Sequence, residues 1–262
     1  MKSQATDLNP TGRFSNRVSH YIRARPKYPL ALLDFLRDEL ALTPSHRIAD
    51  IGSGTGILSE LLLANGNPVV GVEPNIEMRL AGEEYLRGFP SFQSLDGTAE
   101  ATGLADHLVD FITAGQAFHW FDRPKTRVEF MRILRPDGWV VLVWNERQLN
   151  ADGFDDAYDE LVRRFAVEKH VDHHTTITGL ADEVLGPFFG KGHFRVKTIE
   201  NFQELNLDDV KARIMSSSYM PLPEHPRFGE MMEEAERSFV MHARGGQVRL
   251  NYDTRLYYGR MT

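Results

Sequence analysis

Apolar positions first recur at helical spacing in LALLDFLRDELAL, residues 30–42, and then fall into a regular alternation of strand and helix patterns. HRIADIG (46–52) predicts a strand, TGILSELLLANG (55–66) a helix stopped by Gly66, PVVGVE (68–73) a strand, and NIEMRLAGEEYLRG (75–88) a helix stopped by Gly88. SFQSLDG (91–97) is a weaker strand. HLVDFITAG (107–115) and WVVLVWN (139–145) read as buried strands, separated by a helix in RPKTRVEFMRILRPDG (123–138) that ends in a Pro-Asp-Gly turn. Strands alternating with helices need crossover connections, so the pattern predicts an α/β fold with a mostly parallel sheet and helices on both faces.

Beyond Asn145 the alternation stops. FDDAYDELVRRFAVEKH (154–170) is helical and runs into a polar loop, VDHHTTITG (171–179). FRVKTIE (194–200) and TRLYYGRM (254–261) are late strands, with helices in NLDDVKARIMSS (206–217) and PRFGEMMEEAERSFVMHAR (226–244) between them. The expected organisation is an N-terminal helical cap (1–45), a ligand-binding core (46–150), and a helical insertion plus the final strands (151–262).

Composition narrows the field. The chain has 262 residues, 42% of them hydrophobic, enough for one large domain or a domain plus a cap. Its 37 acidic against 30 basic residues give a net charge of −7 without a dense Lys/Arg run, which disfavours nucleic acid as a partner. Cysteine is absent, so disulfides, thiolate metal sites, iron–sulfur ligation and cysteine nucleophiles are all excluded. The first residues lack the apolar core of a signal peptide and no apolar run reaches the length of a membrane span. A cytoplasmic monomer or homodimer without a membrane partner is expected.

The candidate chemistry centres on DIGSGTG, placed between a strand and a helix, where open parallel sheets bind their ligands. Gly52 and Gly54 let the backbone approach a ligand. A dinucleotide loop wants G-x-G-x-x-G, but Ile57 stands where the last glycine belongs, and no Gly-Lys-Ser/Thr follows to make a Walker loop. Asp50, two residues before Gly52, would repel a pyrophosphate and attract a cation. S-adenosylmethionine, with a sulfonium, an ammonium and no phosphate, suits that charge. Glu73, which ends VVGVE, is placed to accept from both ribose hydroxyls, a feature that NAD sites share.

IADIGSGTG, VVGVEPN, GTAEATGLADHLVDFITAGQAFHWFD and RILRPDGWVVLVWNE, in this order, resemble the successive motifs of class I S-adenosylmethionine-dependent methyltransferases over roughly residues 46–146. QAFHWFD with YIRARPKYP upstream is similar to a small-molecule subgroup, methyltransferase type 11, that includes trans-aconitate methyltransferase-like proteins. The resemblance implies a Rossmann-like sheet of seven strands, the last antiparallel. It also implies that Asp50, Gly52 and Gly54 line the methionine end of the cofactor, that Glu73 binds the ribose, and that Pro74 and Met78 flank the adenine. Thr98 stands where the family often has an acid for the adenine amino group, which leaves that role to the backbone near Ala99 or to Glu100. Gly115 and Gln116 would approach the transferring methyl.

Methyl transfer is an in-line displacement that needs alignment and a dry site more than a base. A carboxylate acceptor, which the subgroup suggests, needs no deprotonation; for a hydroxyl or amine, His119 is the candidate base, since imidazole titrates near neutrality. Trp120 and Phe121 read first as packing, with Trp120 also a candidate wall of the acceptor site. Tyr21, Arg25, Tyr28 and Tyr219 are candidate acceptor contacts, the first three closing over the cofactor and orienting an anion. His170, Asp172, His173 and His174 read as a solvated loop, and TAGQAFHW offers no acidic metal ligand, so no metal is expected. The alternative readings are a non-catalytic S-adenosylmethionine-binding protein and an NAD-dependent oxidoreductase or epimerase on a similar fold.

Overall fold

The computed structural model describes residues 24–148, 153–167, 181–190, 193–217 and 219–261. The first half runs α1 (Leu30–Leu40), β1 (Ile48–Ile51), α2 (Ile57–Ala64), β2 (Val69–Val72), α3 (Ile76–Tyr85), β3 (Phe92–Leu95), β4 (Val109–Gly115), α4 (Arg123–Ile133) and β5 (Leu134–Arg147). The second half runs α5 (Phe154–Phe165), α6 (Ala181–Phe189), β6 (Phe194–Leu205), α7 (Leu207–Met215), α8 (Phe228–His242) and β7 (Val248–Gly259). Seven strands form one sheet in the order β3-β2-β1-β4-β5-β7-β6, in which only β7 runs against its neighbours. This is the Rossmann-like α/β arrangement expected from the sequence. The strand order reverses between β1 and β4, which opens a crevice at their carboxyl ends.

Side-chain alternation explains why β5 reads as an unbroken apolar run. Val140, Leu142 and Trp144 enter the core on one face of the sheet, with Phe130 of α4 and Phe188 of α6. Val141 and Val143 enter the core on the other face, with Leu32 and Leu36 of α1 and Leu62 of α2. Each such fully buried side chain contributes roughly 1.5–3 kcal/mol, so burial on both faces holds the central strands in place. A third cluster lies beyond the sheet, where Tyr158 and Val162 of α5, Val210 and Ile214 of α7 and Met231 of α8 pack on Leu250 and Tyr252 of β7.

Several boundaries differ from the periodicity. The helix expected to reach residue 138 ends at Ile133, and Pro-Asp-Gly lies inside the span of β5, with Asp137 at φ 65° and a register shift between Val109 and Phe111. Pro136 disfavours helical backbone in the residue before it and supplies no N–H, so the chain turns extended early. The helix expected over 154–170 stops at Phe165, and Ala166, at φ −53° and ψ 126°, has left helical backbone. Helix α6 has no counterpart in the sequence reading, because Gly186 and Pro187 interrupt its pattern. Both late strands are longer than expected, at 12 residues each. No helix among the described residues is long and apolar enough to cross a membrane.

Candidate functional site

The glycine loop leaves β1 at Ile51 and turns into α2 through residues of left-handed backbone. Gly52 has φ 67°, and a Cβ there would lie 2.6 Å from the Ala117 Cβ; Gly56, at φ 84°, forms the N-cap of α2. Any larger residue at Gly52 is both strained and overpacked. The Gly52 N–H donates to the Val72 carbonyl at 2.8 Å, which ties the loop to the end of β2.

Glu73 follows β2 directly and is 9% exposed. One carboxylate oxygen accepts from the Gly54 N–H at 2.9 Å and the other from the Asn75 N–H at 2.8 Å. Burial pushes this carboxyl above its ordinary range, while the two backbone donors and Arg79 pull the other way. Each oxygen keeps a further lone pair for a ligand hydroxyl.

Asp50 is deeper, at 1% exposure, and its two oxygens accept from the Ser59 hydroxyl at 2.6 Å and the Thr113 hydroxyl at 3.0 Å. Burial pushes its carboxyl up to about 6 against the pull of those hydroxyls, and the nearby Glu73 charge adds to the rise. The sequence reading sets Asp50 along the ligand; in the structure both of its oxygens accept from side chains of the fold, tying β1 to α2 and β4.

The adenine-side candidates lie around the start of α3. Asn75 caps that helix by accepting from the Met78 N–H at 3.0 Å, and the buried Met78 brings its terminal methyl beneath Gly54, whereas Pro74 is exposed. Thr98 is exposed in a tight turn in which it and Ala101 exchange backbone bonds at 3.2 Å each, and Ala99 is buried beside it. Glu100 accepts from the Asp122 N–H at 2.8 Å and so braces the start of α4.

At the end of β4, Gln116 has φ 56°, an uncommon conformation for a residue with a side chain. Its N–H donates to the Val143 carbonyl at 2.8 Å and its side-chain amide to the Asn145 carbonyl at 3.0 Å, which together fix it beside β5. Gly115 faces Tyr28, whose hydroxyl occupies the space a side chain would need. His119 and Trp120, both half-buried, lie in a single 3-10 turn with their rings 4.8 Å apart. Phe118 is wholly buried against Phe121, Trp144 and Phe188, so much of QAFHWFD is packing.

Arg25 lies farther along the same sheet edge, where its guanidinium donates to the Ser216 carbonyl at 2.9 Å, close to the partly exposed Tyr219. Tyr21 and the cluster His170, Asp172, His173 and His174 fall outside the described residues. Among the described residues, no group of three His, Asp or Glu side chains is arranged to hold a metal ion.

Sequence reasoning passed over a second group of polar residues, Arg147, Tyr158, Arg213 and Tyr252. A signal for one of them was available: Val210, Arg213, Ile214 and Ser217 recur at core-facing helical spacing, all four are buried, and an arginine in such a stripe is anomalous.

Residues 49–142, from β1 into β5, match the family model described as a methyltransferase domain. An uncharacterized methyltransferase of Mycobacterium tuberculosis is 40% identical over 135 residues, which cover 51% of this chain and 52% of the relative. One from Schizosaccharomyces pombe is 32% identical over 135 residues, covering 51% of this chain and 53% of that one. The match thus spans about half the length of these relatives. Among solved structures, a protein from Anaeromyxobacter dehalogenans described as a type II methyltransferase superposes with a TM-score of 0.65, at 22% identity over 90% of this chain and 97% of that one. At that identity the likeness speaks to the fold, and it extends past the residues that match the family model into the second half of the chain.

Proposed function

We propose that this chain transfers a methyl group from S-adenosylmethionine to a small-molecule acceptor, with a carboxylic acid as the acceptor class that the trans-aconitate resemblance suggests. The observation that carries the reading is the pair of buried carboxylates framing the glycine loop, Glu73 at 2.9 Å from the Gly54 nitrogen and Asp50 behind it. This donor set suits a ligand with hydroxyls and positive charge, and it is unfavourable to a pyrophosphate.

S-adenosylmethionine supplies an activated methyl group together with its leaving group. The residues of the chain bind, align and exclude water. Glu73 accepts the ribose hydroxyls on its remaining lone pairs. Gly52 and Gly54 admit the ligand to the backbone, and Met78, Pro74, Thr98 and Ala99 border the adenine side. Asp50 sets a negative potential at the cationic end. Gly115, Gln116 and Tyr28 bound the methyl-transfer position, while Arg25, Trp120 and Tyr219 face the acceptor. An acceptor that must lose a proton would give it to His119; a carboxylate would need no base. In this reading residues 1–45 and 151–250 form most of the cover over the acceptor.

The test is a thermal melt of the chain with S-adenosylhomocysteine, with NAD and without ligand. A ligand at a hundred times its dissociation constant stabilises by about 2.7 kcal/mol. A rise in midpoint with S-adenosylhomocysteine alone supports the reading, and a rise with NAD alone overturns it.

A further inference from the structure

Past the glycine loop, the carboxyl edge of the sheet leads to a cluster of opposite charge. Arg213 on α7 is only 5% exposed. Its guanidinium donates to the Tyr252 hydroxyl at 3.4 Å and the Ser217 hydroxyl at 3.2 Å, both neutral oxygens, and no carboxylate lies within ion-pair distance of it among the described residues. Tyr158 on α5 is 2% exposed, and its hydroxyl has no hydrogen-bond partner among the described residues. The Arg147 guanidinium, itself paired with Asp159 at 3.3 Å, lies 5.2 Å from the centre of the Tyr158 ring. Burial alone would raise the Tyr219 phenol, yet Arg213, Arg147 and Arg25 outweigh it and hold that phenol below its ordinary value, so three arginines converge on one turn.

A buried cation without a counter-ion and a buried hydroxyl without a partner are each unfavourable, and one oxyanion relieves both. The planar fork of an arginine fits a carboxylate or phosphate in a bidentate way. The cluster also has a defined relation to the methyl-transfer position. Arg147 ends the strand whose Asn145 carbonyl accepts from Gln116, and Arg25, at the cluster, stands three positions before Tyr28, at Gly115. Three residues of extended chain span about 10 Å, the length of a small organic molecule.

We propose that Arg213 and Tyr158 anchor an oxyanion subsite that holds one carboxylate or phosphate group of the acceptor, remote from the atom that receives the methyl group. The role assigned to the bound group rests on the methyl-transfer reading; the subsite itself stands on its own residues.

The experiment is calorimetric titration of the full chain, with and without S-adenosylhomocysteine at constant ionic strength, using tricarballylate and inorganic phosphate as probes. The proteins compared are the wild type, Tyr158→Phe and Arg213→Met. The wild type is expected to bind at least one probe, and which one it binds separates a carboxylate anchor from a phosphate anchor. Arg213→Met should weaken that binding at least tenfold and Tyr158→Phe severalfold, both keeping the wild-type affinity for S-adenosylhomocysteine. Tyr158→Phe deletes a hydroxyl that has no partner among the described residues, and Arg213→Met removes a buried charge that has no counter-ion among them, so neither should melt lower than the wild type. Binding of neither probe by the wild type, or unchanged probe affinity in both variants, overturns the subsite. If S-adenosylhomocysteine fails to bind while the variants still lose the anion, the methyl-transfer reading falls and the subsite remains.

Discussion

Asp50 and Arg213 are both almost wholly buried charges near the same sheet edge, and the protein treats them differently. Asp50 receives two short hydroxyl hydrogen bonds from elements that flank it, and its carboxyl still rises to about 6. Arg213 meets neutral oxygens at the outer limit of hydrogen bonding. The acid belongs to a preformed lattice of β1, α2 and β4; the base belongs to a cluster with capacity left over. Glu73 stands beside Asp50 at the β1 and β2 end of the carboxyl edge, while Arg147, which is paired with Asp159, and Arg25 stand with Arg213 toward the β5 and β7 end. For the ligands proposed above, the expected effect of such a charge separation is to draw the cationic group to the Asp50 end and an anionic group to the Arg213 end.

The largest expected effect comes from deforming the loop that holds the acidic end. Gly52→Val combines left-handed strain with a collision against Ala117, and the two together should cost about 2–5 kcal/mol in a denaturant titration; full stability would show that the loop adapts freely and that its shape does not define that end. Glu73→Ala should weaken S-adenosylhomocysteine binding by about 1–3 kcal/mol, the scale of lost hydrogen bonds to a charged group. Calorimetry giving an unchanged affinity would take Glu73 out of the site. His119, between the two ends, is expected to matter less: His119→Ala should lower turnover by about tenfold, or roughly 1.4 kcal/mol in barrier, with cofactor affinity intact. Equal turnover in the variant would remove it from the chemistry.

The two ends also differ in how legible they were in the sequence. The acidic end is local: Asp50, Gly52, Gly54 and Glu73 sit within two strand-to-loop junctions, and parallel pairing of β1 with β2 brings them together in register. Strand periodicity therefore placed both acids, although it could not show that Asp50 turns toward Ser59 and Thr113. The basic end is assembled from β5, α5, α7 and β7, segments whose contact depends on the packing of the second half of the chain. Its residues are scattered from Arg25 to Tyr252: Arg25 and Tyr219 were candidate acceptor contacts, whereas Arg147, Tyr158, Arg213 and Tyr252 went unread, and the arginine in the apolar stripe of α7 was the one signal available for them. Helix α6 was hidden for a related reason, since its Gly-Pro pair reads as a break while Leu185, Phe188 and Phe189 anchor it to the sheet.

The subtlest test of the acidic end uses its titration. Folded Asp50 has a carboxyl at about 6, above the ordinary value of 3.8, so the folded chain holds this proton more tightly than the unfolded one. Its contribution to stability is complete below the ordinary value and is lost as the pH rises through about 6. A sulfonium nearby reverses the preference, because it favours the ionised form, and binding it should release the proton. S-adenosylmethionine and S-adenosylhomocysteine share every other group, so the ratio of their affinities isolates that charge. Glu73, also raised by burial, is the other buried carboxyl beside the loop, and Glu73→Gln serves as its control. Between about pH 5 and pH 7.5 the ratio should shift toward S-adenosylmethionine by about threefold to fivefold, and Asp50→Asn should flatten the shift. A flat wild-type ratio would mean that Asp50 does not sense the sulfonium, leaving it a purely structural tie between β1, α2 and β4.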